Sequence, residues 1–227
     1  MLDECGNPEI VGNLGASLYR IKKAHLRVVD GFVVPVNQEI EFGLSNEILR
    51  DYDKLEAKSA VLRASYVDPK VFDSETIRDV KRNDLISTIS YVQQNAGRRG
   101  DPAAVVVQEN LEAEFSGTIH SYNPVTHDQN EILIEANIWM NETVLSGETD
   151  ADMILINKST GAVAVESNED SEICLTPEQI ERLHNLIRKV EKQFDHPVSV
   201  DWCFDHGILF ILHARPINKI THERYEI

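Results

Sequence analysis

Near its C-terminal end the chain places Ser199, Asp201, His213 and Arg215 inside two apolar runs, V-S-V-D-W-C-F and I-L-F-I-L-H-A-R-P-I, joined by D-H-G. A carboxylate can hold a hard cation, a guanidinium grips phosphate oxygens bidentately, and an imidazole can hydrogen-bond or ligate. The runs are rich in β-formers, and Gly207 supplies the permissive backbone of a three-residue turn, so Val198 to Ile217 reads as a β-hairpin. Pairing Phe204 with Ile208 sets Ser199, Asp201 and Cys203 opposite His213, Ile211 and Leu209, and alternation brings Arg215 to the same face. An unpaired charge on a buried strand costs on the order of several kcal/mol. Either a ligand satisfies this stripe, or Asp201 and Arg215 neutralise each other.

The elements that must position these residues follow from periodicity. V-G-N-L-G-A-S-L at residues 11–18 reads as a Gly-rich turn running into a short helix, followed by a strand at Gly31–Val36 and an amphipathic helix at Asn46–Lys58. Val61, Leu62 and Ala64 predict a strand with Arg63 embedded in it. Ile77, Val80, Leu85, Ile89 and Val92 predict one helix over Ser74–Gln94. N-A-G-R-R-G-D-P, Asn95–Pro102, is a breaker and the expected hinge between an N-terminal subdomain, 1–100, and a C-terminal one, 101–227. Strands are expected at Ala103–Glu109, Ser116–His120, Glu131–Glu135, Met153–Asn157 and Ala162–Glu166. Thr176-Pro177-Glu178-Gln179 opens a helix that runs to Phe194.

The 227 residues carry a formal net charge of −16, which argues against nucleic-acid or anionic-membrane partners and requires local cations for any phosphate ligand. Cys5, Cys174 and Cys203 are far apart and signal neither a zinc site nor a disulfide framework, which fits a reducing cytoplasm. The acidic, polar N-terminus does not read as a signal peptide, and no 18-residue apolar run could span a bilayer. His120, His127, His184 and His196 are scattered without metal-ligand spacing. Glu166–Glu172 reads as a solvated loop, and Ser116-Gly117 as a turn rather than a nucleophile elbow.

The order of these segments resembles the nucleotide-binding domain of the phosphoenolpyruvate synthase and pyruvate phosphate dikinase family, which includes the rifampin phosphotransferases. Val11–Leu18 is similar to the family's VGGKGASL, Asp30–Val34 to PxGFVV and Val61–Ser65 to VRSSA. Val105–Asn110, Phe115-Ser116-Gly117 and Asn123–Thr126 resemble VVVQxM…SGVxFTxNPxTG. Ile134-Glu135, Glu142–Gly147 and Ala151-Asp152 resemble IEA…GLGExxVSG and PD. Leu175-Thr176, Val200-Asp201-Trp202 and Leu212–Ile217 resemble LTxEEI…DIEWA…LQARPI.

This resemblance implies an α+β ATP-grasp fold, two α+β subdomains enclosing a nucleotide cleft, in a module that binds ATP and Mg²⁺. Family members use ATP to phosphorylate a histidine on a carrier domain, which passes the phosphoryl group to pyruvate or a drug hydroxyl. No segment here resembles the carrier or pyruvate domain, so a separately encoded carrier, substrate or other protein is the expected partner. By position, the resemblance puts Arg63 and Arg215 on the phosphates as the catalytic cations and Val107, Gln108 and Glu109 along the adenine and ribose. It makes Glu142 the GE carboxylate and Asp201 a metal ligand, with Glu142 and His213 completing the metal set. His213 replaces a glutamine; its nitrogen suits Mn²⁺ or Zn²⁺ better than Mg²⁺, and the other reading open for it is a hydrogen-bonded core histidine.

Departures from the pattern fall on the phosphate chemistry. Leu14 stands at the family lysine, Asn13 at a glycine, and Ser199 at the aspartate of DIEW. The segment Val71–Thr76 has no glycine where the family has a Gly-rich lid, and Trp139 and Asn141 replace the glycines of GLGE. Two readings remain open on the sequence: a compact phosphotransferase subunit, and a non-catalytic relative (pseudoenzyme) that senses a nucleotide or anion or binds a protein partner.

Overall fold

The computed structural model describes residues 6–36, 42–71, 76–98, 100–138, 151–166 and 174–217. The chain forms two compact units, Met1–Leu111 and Glu112–Ile227.

The first unit is a four-stranded antiparallel sheet of β1 (Gly31–Val34), β2 (Ala60–Tyr66), β3 (Thr76–Val80) and β4 (Ala103–Glu109), in the order β1-β4-β2-β3. Its helices are α1 (Pro8–Lys23), α2 (Phe42–Asp53) and α3 (Leu85–Arg98). Phe32, Leu62, Val105 and Val107 pack with Ile48 and Tyr52 of α2 and Leu85, Ile89 and Val92 of α3 in one buried core. Alternation sends Val33, Arg63 and Val106 to the opposite face, where Gly15 of α1 approaches Val33. Because β4 is paired on both sides, the division falls after Leu111 and not at the expected hinge after Gly100.

Two expected helices differ. The helix foreseen over Ser74–Gln94 is strand β3, a 3₁₀ turn at Arg82–Asp84, and then α3. A bulge explains the misreading: Val80 pairs with Ala60 and Ile77 with Leu62, so three residues of β3 span two of β2, with Asp79 at φ 55°. Residues three apart therefore reach the same core face, which imitates helical spacing. The second helix, α2, ends at Asp53, and Glu56, at φ 53°, takes the chain out of helical geometry before Lys58.

The second unit is a six-stranded antiparallel sheet ordered β10-β9-β5-β6-β7-β8, with β5 (Phe115–His120), β6 (Glu131–Ile138), β7 (Asp152–Asn157), β8 (Val163–Glu166), β9 (Val198–Asp205) and β10 (Ile208–Pro216). Helix α4 (Pro177–Phe194) opens with a full capping box, in which Thr176 accepts from the Gln179 amide and Gln179 accepts from the Thr176 amide. It packs over the face carrying Val200, Trp202 and Phe204, all buried, and Arg182 stacks 5.1 Å above the Phe204 ring. The polar side chains lie on the other face. No described helix is long and apolar enough to cross a membrane.

Candidate functional site

The hairpin turn is two residues, His206 and Gly207, with φ 48° and 69°, so Asp205 pairs with Ile208. Both central residues at positive φ match the twist of the flanking strands, which disfavours the expected three-residue turn. Continued without interruption, that register would set Leu212 against Asp201 and turn His213 and Arg215 toward the apolar face. A bulge prevents this. Ile211 pairs with Trp202 and His213 with Asp201, leaving Leu212 as the extra residue, and Arg215 then pairs with Ser199. The bulge, by taking Leu212 out of the ladder, thus keeps the charged stripe on one face.

On this face Arg215 Nη1 donates to Asp201 Oδ2 at 2.5 Å and Thr118 Oγ1, from the neighbouring strand β5, donates to Asp201 Oδ1 at 2.9 Å. His213 Nδ1 lies 3.7 Å from Asp201 Oδ2 and 3.4 Å from Arg215 Nη1. His213 Nδ1 is thus placed between the carboxylate and the guanidinium. Burial by itself would raise the Asp201 carboxyl, but the Arg215 guanidinium, with His213 beside it, overrides this and holds it well below the usual carboxylate range. A lowered folded value stabilises the protein above the unfolded carboxylate's titration, near pH ~3.9, and that stability is lost as pH falls through the folded value. Asp201→Asn is therefore expected to flatten the fall in melting temperature below about pH 4. Identical acid limbs in the two proteins would remove Asp201 from this role.

Residues that sequence spacing did not single out complete the face. His120, buried, lies between Ser199 Oγ, 2.8 Å from Nδ1, and Glu135 Oε2, 3.0 Å from Nε2. Strand register makes this contact, because His120 pairs with Ser199 and Thr118 pairs with both Asp201 and Glu135. The readable signal was alternation in β5, which puts Ser116, Thr118 and His120 on one side.

In the first unit the segment matching VGGKGASL is fastened to β2. Ser65 Oγ donates to the Val11 carbonyl at 2.7 Å and accepts from the Gly15 amide at 3.1 Å, while Asn13 Nδ2 donates to the Tyr66 and Val67 carbonyls, both at 2.9 Å. Leu14 is buried with Val11 and Leu18. Lys22 lies 3.8 Å from Asp30. Arg63 is half-buried on the same sheet face as Ser65. Val107 is in the core, Gln108 is buried with Nε2 donating to the Val29 carbonyl, and the Glu109 amide donates to the Asp30 carbonyl. The backbones of Val107 and Gln108 thus serve β1 and β2 in the ladders, and Glu109 pairs with Ala60 of β2. Glu142 lies outside the described residues.

The family model described as pyruvate phosphate dikinase, AMP/ATP-binding domain, matches residues 86–169 and 157–226, more than half of the chain. The chain belongs to this family. Among its relatives, the uncharacterized phosphotransferase YvkC of Bacillus subtilis (strain 168) is 25% identical over 95% of this chain and 34% of its own length. A probable phosphoenolpyruvate synthase of Archaeoglobus fulgidus is 24% identical over 96% of this chain and 41% of its own. The chain thus spans well under half the length of these relatives. Its fold is ATP-grasp: a biotin carboxylase–ATP complex from Campylobacter jejuni aligns over 93% of this chain and 41% of that one, with a TM-score of 0.56 at 10% identity.

As a member of the pyruvate phosphate dikinase family, the chain invites the question of a divalent cation. Among the described residues no three or more His, Cys, Asp or Glu side chains converge as a cage. A nucleotide-borne Mg²⁺ asks for only one or two carboxylates beside phosphate oxygens. Asp201 fits that demand, since each of its oxygens keeps a lone pair beyond the Thr118 and Arg215 bonds. His213, a nitrogen donor, fits a hard oxygen-seeking cation less well.

Proposed function

We propose that this chain is the nucleotide-binding module of a phosphoenolpyruvate synthase-type phosphotransferase, which binds ATP through Arg63 and Arg215 and transfers a phosphoryl group. The observation that carries the reading is the bulge in β10: it costs a regular ladder and sets Arg215 beside Asp201 and Thr118 on the polar face. Transfer of this kind depends mainly on positioned charge, which a guanidinium on a strand supplies rigidly. Mg²⁺ arriving with the nucleotide would be held by Asp201 and would neutralise charge on the phosphates. Glu109, at the end of β4, is the residue we assign to the ribose side. The onward acceptor is a carrier or substrate, and the compartment is the cytoplasm.

Melting temperature with ATP, ADP and other nucleotides, with and without Mg²⁺ or Mn²⁺, tests this. A ligand that binds only the folded state at one hundred times its Kd adds about 2.7 kcal/mol. Arg215→Ala is expected to abolish the shift. No stabilisation of the wild-type chain by any nucleotide would sink the reading.

A second reading has its own support in Leu14, buried where the family has a lysine, and in Asn13, whose amide fastens that segment. It makes the chain a nucleotide or anion sensor without transfer. Binding with no phosphoryl transfer to any acceptor, this chain included, would favour it.

A further inference from the structure

The contact of His120 with Ser199 and Glu135 has a definite polarity. Glu135, as a carboxylate, only accepts, so Nε2 of His120 carries the hydrogen on that side. In the neutral ring Nδ1 then offers a lone pair, and the Ser199 hydroxyl at 2.8 Å donates to it. The order is serine hydroxyl, imidazole, carboxylate, the arrangement that activates a nucleophile through an adjacent base oriented by a third group. Three strands contribute one residue each: Ser199 from β9, His120 from β5 and Glu135 from β6. The side chain paired with Ser199 on the remaining flank is Arg215.

Packing alone does not call for this trio. In the pattern SGVxFT the position of His120 is a phenylalanine, which fills a core without polar atoms to satisfy, whereas each buried polar group here must find a partner. The pattern DIEW has an aspartate where Ser199 stands. Both replacements occur at residues that touch each other, and together they exchange an acceptor-only carboxylate for a hydroxyl with a base at hydrogen-bond distance.

We propose that Ser199 is a phosphoryl acceptor within this chain, with His120 as its general base and Glu135 as the positioning residue that orients His120. The proposal rests on the nucleotide-binding reading above and names an acceptor for it. The Ser199 Oγ attacks the γ-phosphorus of the bound nucleoside triphosphate, forming the Oγ–P bond as the bond to the β-phosphate oxygen breaks. The nucleoside diphosphate leaves with that electron pair, and the hydroxyl proton passes to His120 Nδ1. Arg215, across the strand pair, supplies positive charge to the transferred group. Ser199 has no exposed surface in this state, so side chains on this face must move when the nucleotide binds. Arg215, 18% exposed, is the one the phosphates would draw.

The full chain is incubated with ATP and Mg²⁺, the ATP melting shift is measured in the same samples, and peptide mass spectrometry follows phosphorylation. One phosphoryl group on Ser199, absent in Ser199→Ala and formed about 10²-fold or more slowly in His120→Phe and His120→Gln, is the expected result. Glu135→Gln should slow the reaction while leaving the melting temperature in place. An ATP-stabilised chain with unmodified Ser199, or equal rates in the His120 variants, overturns the acceptor role and leaves nucleotide binding intact.

Discussion

Insertion of one alanine between His213 and Ala214 is expected to abolish the nucleotide-dependent melting shift and to destabilise the second unit by about 3–5 kcal/mol, the scale of stranding a buried charge without its partner. The two-residue turn at His206-Gly207 fixes the hairpin register from one end, and the bulge at Leu212 is what returns His213 and Arg215 to the face of Asp201. One further residue moves the strand on by one after His213, which inverts every side chain beyond it. Arg215 would turn to the face where Val198 and Val200 are buried, while Ala214 would take its place opposite Ser199. Leu212→Ala is the control, because it keeps the bulge; it should lose about 2–4 kcal/mol for the truncated buried side chain yet keep the nucleotide response. An insertion variant with wild-type stability and an unchanged nucleotide shift would show that the register of β10 does not set this face.

The second large effect is at Gly12. Its φ of 67° and ψ of 175° fall in a region open essentially to glycine alone, inside the segment that becomes α1. A Cβ added there would meet the Ser65 carbonyl oxygen at 1.9 Å and Ser65 Oγ at 2.3 Å. Relief would require the α1 entry to lift from β2, which breaks the Ser65 bonds to Val11 and Gly15 and the Asn13 bonds to Tyr66 and Val67. Gly12→Ala should therefore cost about 3 kcal/mol or more, adding backbone strain to lost buried hydrogen bonds. Gly161→Ala makes an informative comparison: its φ is also positive, at 73°, but a Cβ there meets nothing within 4 Å, so it carries the strain without the clash. Equal losses of stability in the two variants, read by chemical denaturation, would remove the close approach to Ser65 from the explanation.

Much of the fold was legible because the local signals were of the kind that tertiary contacts do not override. The strand Ala103–Glu109 has the bounds its apolar run predicts, and Thr176-Pro177 opens α4 with the capping box its residues specify. The charged stripe of the hairpin and the family likeness were both readable in residue order. Ile77 and Val80 were not: a bulge in β3 gave a strand the spacing of a helix. Leu14 could be recognised as a lost lysine, but its burial against the sheet, and the fastening of its segment by Asn13 and Ser65, belong to contacts between residues 50 and 53 positions apart.

The sequence by itself determined that Asp201, His213 and Arg215 lie on paired strands and that the chain is an ATP-grasp relative with an altered phosphate segment. Hydrophobic alternation and motif order are local properties, and they carry that information. Only the tertiary structure decided which of these charges meet. A two-residue turn and the bulge that takes Leu212 out of the ladder set the parity of β10, and strand order brought β5 between β6 and β9. The same strand order joined His120 to Ser199 and Glu135, three residues from separate parts of the chain whose chemistry exists only in combination. Register is a property of two strands at once, so neither strand's sequence states it.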